Sequence, residues 1–291
     1  MPINPMDESK PRIDLHTHSN ASDGIFSPKK LVRYAYEHGL SGIALTDHDS
    51  ISGLDEAHSE ADTIDGFTFV PGIELSAEYR KAEVHLLGYG VDWQHQSFLA
   101  TVQKISHARL ERVEKMIHKL QQLGVTLPLE DINALKELEN PGRLHIARVL
   151  KNRGFVQSTE EAFHRFLNRD APAYCPRYKL SPREAIELIH QAGGLPVLAH
   201  PGLMKDDDLI PVILRDSLAG IEVYYPTHTD AEIQRYLSIA EKNHLLITGG
   251  SDFHAPPATG IRNSHIGECA VTKESVRKII QHSINHLERR L

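Results

Sequence analysis

Nine residues of the kinds that bind divalent cations, His16, His18, Asp23, His48, Glu74, His85, His200, Asp252 and His254, recur in one sort of place along this chain. Each falls at or just past the end of a short apolar run that reads as a β-strand. His16 and His18, two positions apart at a strand terminus, point the same way and could chelate one cation. Asp252 and His254 repeat that spacing. Glu74 follows VPGI, where an unpaired carboxylate in an apolar strand would cost several kcal/mol, so it needs a cation or a donor. His85 in EVHLLG and His200 in VLAHPG pose the same problem among apolar neighbours. Taken singly these are weak signals: Asp23 in ASDG could cap a turn, and a histidine in a strand is most often a satisfied core residue. Their conjunction is stronger, because six of seven strand ends carry good ligands and the seventh, GIEVYYP, still offers Glu222. Imidazole and carboxylate without thiolate suit Zn, Mn or Fe, and such a multinuclear cluster performs metal-assisted hydrolysis.

Ligands this far apart meet only if the elements between them bring strand ends to one rim, as alternating strands and helices do. RIDLH reads as a strand, and Ser27 with Pro28 starts the helix PKKLVRYAYEHG, which stops at Gly39. GIALT, TFVPGIEL and EVHLLGYG follow as strands, giving a parallel α/β pattern. From about Gln94 the character changes: SFLATVQKISHARLERVEKMIHKLQQLG has helical spacing of apolar residues, and short helical segments continue from Pro128 to about Arg169. Strands LPVLAH, GIEVYY and LLITGGS then alternate with helices, and SVRKIIQHSINHLERRL closes the chain. The expected fold is an α/β, distorted TIM-like (β/α)7 barrel over residues 12–94 and 176–291, interrupted after its fourth strand by a helical insertion over residues 95–175. The chain shows no internal repeat and no low-complexity segment.

With 291 residues and 40% hydrophobic content the chain can bury a real core. Two cysteines, Cys175 and Cys269, without a CxxC pair, argue against a disulfide framework and a structural zinc site, and fit a reducing cytoplasm. The N-terminal MPINPMDESKP lacks an apolar h-region, and no stretch approaches the ~18 continuous apolar residues of a membrane span. A net charge of −7 disfavours the basic surface that grips duplex DNA but allows a short or terminal phosphate ligand. Three divalent ions would bring +6 against −3 from Asp23, Glu74 and Asp252, leaving about +3 to attract a phosphate dianion. Nineteen histidines exceed what ordinary domains carry, so several require a chemical explanation. Others, such as His58, His107, His118, His164, His190 and His228, read as surface or ordinary packing.

The ordered set DLHTH, ASDG, TDHD, PGIE, EVHLLG, AHPG and SDFH resembles the PHP (polymerase and histidinol phosphatase) family of metal-dependent phosphoesterases, from about Ile13 to His254. The insertion with GRLHIA, followed by AYCPRY, looks like the subgroup containing nucleoside 3',5'-bisphosphate phosphatases and the 5'-to-3' exoribonuclease RNase AM. The resemblance implies two or three divalent ions. One would be held by His16, His18, Glu74 and Asp252, a second by Glu74, His85 and His200, and a third by Asp23, His48 and His254. Glu74 would bridge two ions, and Glu74, His200 and Asp252 would carry the chemistry. Arg143, with His145, matches the subgroup's phosphate-clamping position, and Arg177 is a second candidate for gripping phosphate through paired hydrogen bonds. Tyr224 and Tyr225 either line the pocket or pack in the core.

The expected reaction is hydrolysis of a phosphate ester by a metal-bound hydroxide, with the insertion closing over a phosphorylated small molecule, a nucleotide or the end of a short single-stranded RNA. Three alternatives remain at this stage. They are a histidinol-phosphate-type or other small-molecule phosphatase, an amidohydrolase, and a non-catalytic metal-binding module. The amidohydrolase is disfavoured by the lack of a strand-end lysine suited to bridging metals, and the module by the absence of any missing ligand.

Overall fold

The computed structural model describes residues 6–138, 141–176, 178–257 and 264–288. The chain forms two compact units, residues 1–100 with 180–291, and residues 101–179. The larger unit is built on eight strands: β1 (Arg12–Thr17), β2 (Gly42–Leu45), β3 (Thr68–Tyr79), β4 (Ala82–Tyr89), β5 (Leu195–Leu198), β6 (Gly220–Tyr224), β7 (Leu246–Gly249) and β8 (Val271–Thr272). They form one sheet in the order β7-β6-β5-β4-β3-β2-β1-β8. Helices open where the local chemistry asks for them. The Ser27 hydroxyl accepts from Lys30 N–H before Pro28–Glu37, and Ser181 and Thr229 make reciprocal capping boxes with Glu184 and Glu232 before Pro182–Gln191 and Asp230–Lys242.

The sheet departs from the expected parallel pattern at β4. No helix separates β3 from β4; Arg80 and Lys81, both left-handed at φ 48° and 75°, turn the chain directly. A connection that short permits only antiparallel pairing, so β4 runs against both β3 and β5. The first half of β3, Thr68–Pro71, pairs parallel with β2, while the stretch from Gly72 onward pairs along its length with β4 and meets only single parallel bridges on its other edge, Glu74 to His48 and Ala77 to Leu180. Glu74 and His85 therefore lie inside strands, not at strand ends as the sequence suggested. Among the described residues there are eight strands where seven were expected: β8, two residues long, is too short to show a period.

The ring is completed at one end by the segment that follows β7. Thr17 bridges Phe253 in parallel, and His18 N–H donates to the Phe253 carbonyl at 2.9 Å. Inside the unit Ile13, Leu15, Ala44, Val70, Leu87, Tyr89, Val197 and Ala199 are fully buried in one cluster, and the Tyr89 hydroxyl donates to the Leu15 carbonyl at 2.9 Å. Each such aliphatic side chain contributes roughly 1.5–3 kcal/mol on burial, which makes the strand ends a firm platform for polar groups.

The smaller unit is helical and has its own core. Helices Leu129–Glu137 and Arg143–Asn152 pack with the later part of Gln96–Gln122 around Met116, Leu120, Leu135, Ile146 and Leu150. Arg112, itself buried, donates from Nε to the Cys175 carbonyl at 2.7 Å and ties the end of this unit back to the long helix.

Candidate metal centre

Glu74, fully buried, sits at the centre of the polar cluster. Its Oε2 lies 3.1 Å from His16 Nε2, 3.2 Å from His18 Nε2 and 3.1 Å from His48 Nδ1. Its Oε1 lies 2.8 Å from His85 Nδ1 and 3.0 Å from His200 Nε2. Asp252 Oδ1 approaches His18 Nε2 at 3.0 Å and His16 Nε2 at 3.6 Å, and Asp23 Oδ1 approaches His254 Nε2 at 3.0 Å. Ligand atoms about 2.1 Å from a tetrahedral cation stand about 3.4 Å from one another, so these separations are those of shared coordination.

Three overlapping sets bring their donor atoms within 4.8 Å of one another: His16, His18, Glu74 and Asp252; His18, Asp23, His48 and His254; and His48, Glu74 and His85. The first is the set the resemblance implies for one ion. The second contains the implied Asp23, His48 and His254 and adds His18. The third draws in His48, while His200, implied beside Glu74 and His85, belongs to none of the three sets although it meets the same Glu74 Oε1 as His85.

The donor atoms themselves test whether cations fit. His18, His85, His200 and His254 carry buried ring nitrogens with no hydrogen bond of acceptable geometry. Yet His18 Nε2, His85 Nδ1 and His254 Nε2 each stand within about 3 Å of a carboxylate oxygen. Buried nitrogens that close to carboxylate oxygens, without a hydrogen bond and with their donor atoms within 4.8 Å of one another, are placed as an ion's ligands are. The set fits divalent cations.

Without an ion the cluster is a network of strongly interacting charges. Burial opposes charge on His18, but Asp252 and Glu74 outweigh it and lift the imidazole to about 9. His85 is likewise lifted against burial to about 9, by Glu74 and Glu83. Burial wins at His48, which falls to about 3. Burial opposes ionisation of Glu74, and the surrounding imidazoles, His48 first, nonetheless hold it well below the ordinary carboxylate range.

Further carboxylates hold the ligands without joining them. Glu222 lies 3.1 and 3.2 Å from His16 Nδ1, turning Nε2 toward Glu74, and accepts the His200 N–H at 2.8 Å. Asp14 accepts from the backbone and hydroxyl of Ser251 and from Gly267 N–H, clamping the loop that carries Asp252 and His254. Asp47 does the same for the loop that carries Asp23, accepting from Ser19 and Ser22. Burial pushes the carboxyl groups of both Asp14 and Asp47 upward, against these hydrogen bonds. Replacing Glu222 by Gln leaves the shape but weakens the hold on His16. Metal affinity and turnover should each fall about 10–100-fold, measured by metal titration and steady-state kinetics, and unaltered affinity would remove Glu222 from this role.

His200 and Asp252 have left-handed backbones, φ 25° and 52°. For non-glycine residues this costs on the order of 1–3 kcal/mol and persists only where surroundings over-determine it. Glu222 fixes His200 N–H, and the Tyr225 hydroxyl donates to Asp252 Oδ2 at 2.8 Å. His228, which the sequence consigned to ordinary packing, is buried below the turn after His200. Its Nδ1 donates to the Val223 carbonyl at 2.9 Å, which leaves Nε2 to accept Gly202 N–H at 3.2 Å.

The substrate contacts expected on the helical segment are in the smaller unit. Arg143 begins the helix Arg143–Asn152, with its guanidinium 5.5 Å from the Phe163 ring centre, and Nη1 donates to the Leu167 carbonyl at 3.4 Å. His145 Nδ1 accepts the Gly142 N–H at 3.1 Å and caps the same helix. Arg177 lies outside the described residues.

The profile of the PHP domain matches residues 14–168, more than half of the chain. The chain belongs to the PHP domain family. A curated relative, the 3',5'-nucleoside bisphosphate phosphatase of Chromobacterium violaceum, is 33% identical over 256 residues, 85% of this chain and 89% of that protein. A 5'-3' exoribonuclease of Haemophilus influenzae is 33% identical over 250 residues, 84% of this chain and 90% of that protein. Among solved structures, a Bifidobacterium adolescentis chain assigned as a metal-dependent phosphoesterase superposes with TM-score 0.83 at 31% identity, covering 93% of this PHP chain and 96% of its own. Among the described residues no helix is long and apolar enough to cross a membrane.

Proposed function

We propose that this PHP protein is a metal-dependent phosphoesterase that hydrolyses phosphate esters of nucleotides, either a nucleoside 3',5'-bisphosphate or the 5' end of a short single-stranded RNA. The observation that carries the reading is Glu74, whose two oxygens are divided among five imidazoles in a fully buried cluster. The relatives that span most of the chain act, by their names, on nucleoside bisphosphates and on RNA from its 5' end.

Two or three divalent ions, Mn, Zn or Fe, would supply Lewis acidity at the phosphate and an activated water at neutral pH. His16, His18, Glu74 and Asp252 would hold one of them, Glu74, His85 and His200 another, and Asp23, His48 and His254 a third. In this reading Glu74, His200 and Asp252 are the catalytic residues, because each touches the shared centre, and His200 and Asp252 are also pinned by neighbours beside it. Glu222 holds His16 and the His200 backbone, and Tyr225 holds Asp252. The helical insertion, residues 95–175, carries Arg143 and His145 as phosphate-binding residues, with Arg177 a further candidate. The free cysteines Cys175 and Cys269 fit a cytoplasmic protein, and the net charge of −7 fits a substrate other than duplex DNA.

The test is a substrate panel on protein stripped by chelator and reloaded with Mn: a nucleoside 3',5'-bisphosphate, AMP, histidinol phosphate and a short 5'-phosphorylated RNA. Release of inorganic phosphate or mononucleotides from the first or last, lost on stripping and regained on reloading, supports the reading. Turnover confined to histidinol phosphate would overturn the substrate class. Arg143→Ala should raise KM for the preferred substrate about tenfold or more with a smaller change in kcat, as expected for a lost charged contact to phosphate. An unchanged KM would withdraw Arg143 from substrate binding.

A further inference from the structure

A second feature adjoins the metal centre and is not explained by it. Asp252 faces the cluster with Oδ1, and together with Tyr225 it also lines a separate cavity of about 350 Å³. Its other walls include Leu203, Pro226, Thr227, Ser251 and, from the segment before β8, Ser264 and Glu268. The volume falls in the range of small-ligand sites. Ser264 is buried, and among the described residues its hydroxyl has no hydrogen-bond partner, which is costly for a buried polar group. Leu203 remains 48% exposed beside it, an apolar side chain left at the mouth of a polar site.

The lining also says what kind of group belongs there. Among the described residues no lysine or arginine contributes to the wall, while Asp252 and Glu268 place carboxylates on it. With Asp252 turned to the metal centre, the Glu268 carboxylate still disfavours a phosphate group at this wall. A neutral group that donates hydrogen bonds and presents a flat or apolar face would be accepted: donors toward Glu268, a polar atom toward Ser264, and a ring or sugar face against Tyr225, Pro226 and Leu203.

Building on the phosphoesterase reading above, we infer that this cavity binds the nucleoside part of the substrate, its sugar hydroxyls or base amino group, and leaves the phosphate at the metals. Glu268 and Ser264 are then specificity-determining residues. Tyr225 has two tasks: its hydroxyl holds Asp252 while its ring forms a wall of the subsite. Glu268 Oε2 already accepts the His265 N–H at 3.1 Å, which steadies the carboxylate without consuming its other oxygen.

Two measurements test this, and one does not depend on metals or turnover. In the first, adenosine is titrated into metal-free wild-type protein and into Ser264→Val and Glu268→Gln, followed by calorimetry. Binding by the wild type that weakens about tenfold in each variant supports the subsite. Absence of binding, or equal binding by all three, overturns it. In the second, kcat/KM is compared for a nucleoside 3',5'-bisphosphate and for methyl phosphate, which has no nucleoside. The expected result is a drop of about tenfold in the ratio of the two values in each variant. Equal losses on both substrates would mean that Ser264 and Glu268 only support the fold, and the inference would fail. A wild type that binds adenosine yet hydrolyses no nucleotide would instead sink the proposed function and leave the subsite standing, so the two failures are told apart.

Discussion

Replacing Glu74 by Gln is expected to lower kcat/KM by at least about a thousandfold and to remove at least one bound ion, with the fold intact. The size follows from what the residue does. Losing a single charge-stabilising group in a dry site already costs on the order of a hundred- to a thousandfold, and Glu74 is shared by five imidazoles. A carboxamide keeps the volume but offers one oxygen and an NH2 that cannot coordinate, so at least one group of histidines loses its common partner. Ion content by mass spectrometry, far-ultraviolet circular dichroism and kinetics on one preparation would separate the possibilities. Turnover within tenfold of wild type, with a full complement of metal, would remove Glu74 from the centre of the chemistry.

The second large effect is expected at Gly250, which does no chemistry. A Cβ there would lie 2.4 Å from His16 Cβ and 2.5 Å from His16 N, atoms of the strand that presents two of the ligands. Neither neighbour is the far end of a flexible side chain, so backbone must move. Forcing a methyl group into such a contact costs roughly 3 kcal/mol, which lowers Tm by roughly 6–12 °C for a chain of this size. Because the displaced atoms belong to His16, Gly250→Ala should also lose most of its activity at temperatures where it stays folded. A Tm and kcat equal to those of wild type would show that the end of β1 is more yielding than its packing indicates.

The residues that sequence reading recovered are those whose surroundings announce them locally. His16 with His18, and Asp252 with His254, stand two apart at the close of apolar runs, and the strands before them are long enough to carry a period. The β3–β4 turn announced nothing, because it is made by Arg80 and Lys81 in conformations that glycine or asparagine more often adopt. Missing that hairpin is why Glu74 and His85 were placed at strand ends. Asp14 and Asp47 were passed over for a different reason. An aspartate beside a histidine reads as one more ligand or as a cap, and its role as a clamp appears only when its partner is known. For Asp14 that partner is 237 positions away, and for Asp47 it is 28. Tyr225 was ambiguous on the same ground, since a ring after an apolar strand packs or binds according to what faces it.

The join between the end of β1 and the segment after β7 has a consequence for how the protein is made. Thr17 meets Phe253, and Asp14 reaches Ser251, across almost the entire length of the polypeptide. A chain still being synthesised holds His16 and His18 more than 230 positions before Asp252 and His254, so the donors of one ion set are not all present until the segment after β7 has been made. Contacts so distant in sequence are slow to form, and any ion they capture then acts as a clasp that is paid out as added stability only by the finished ring. An ion held between these two segments would therefore mark the moment at which the ring has shut.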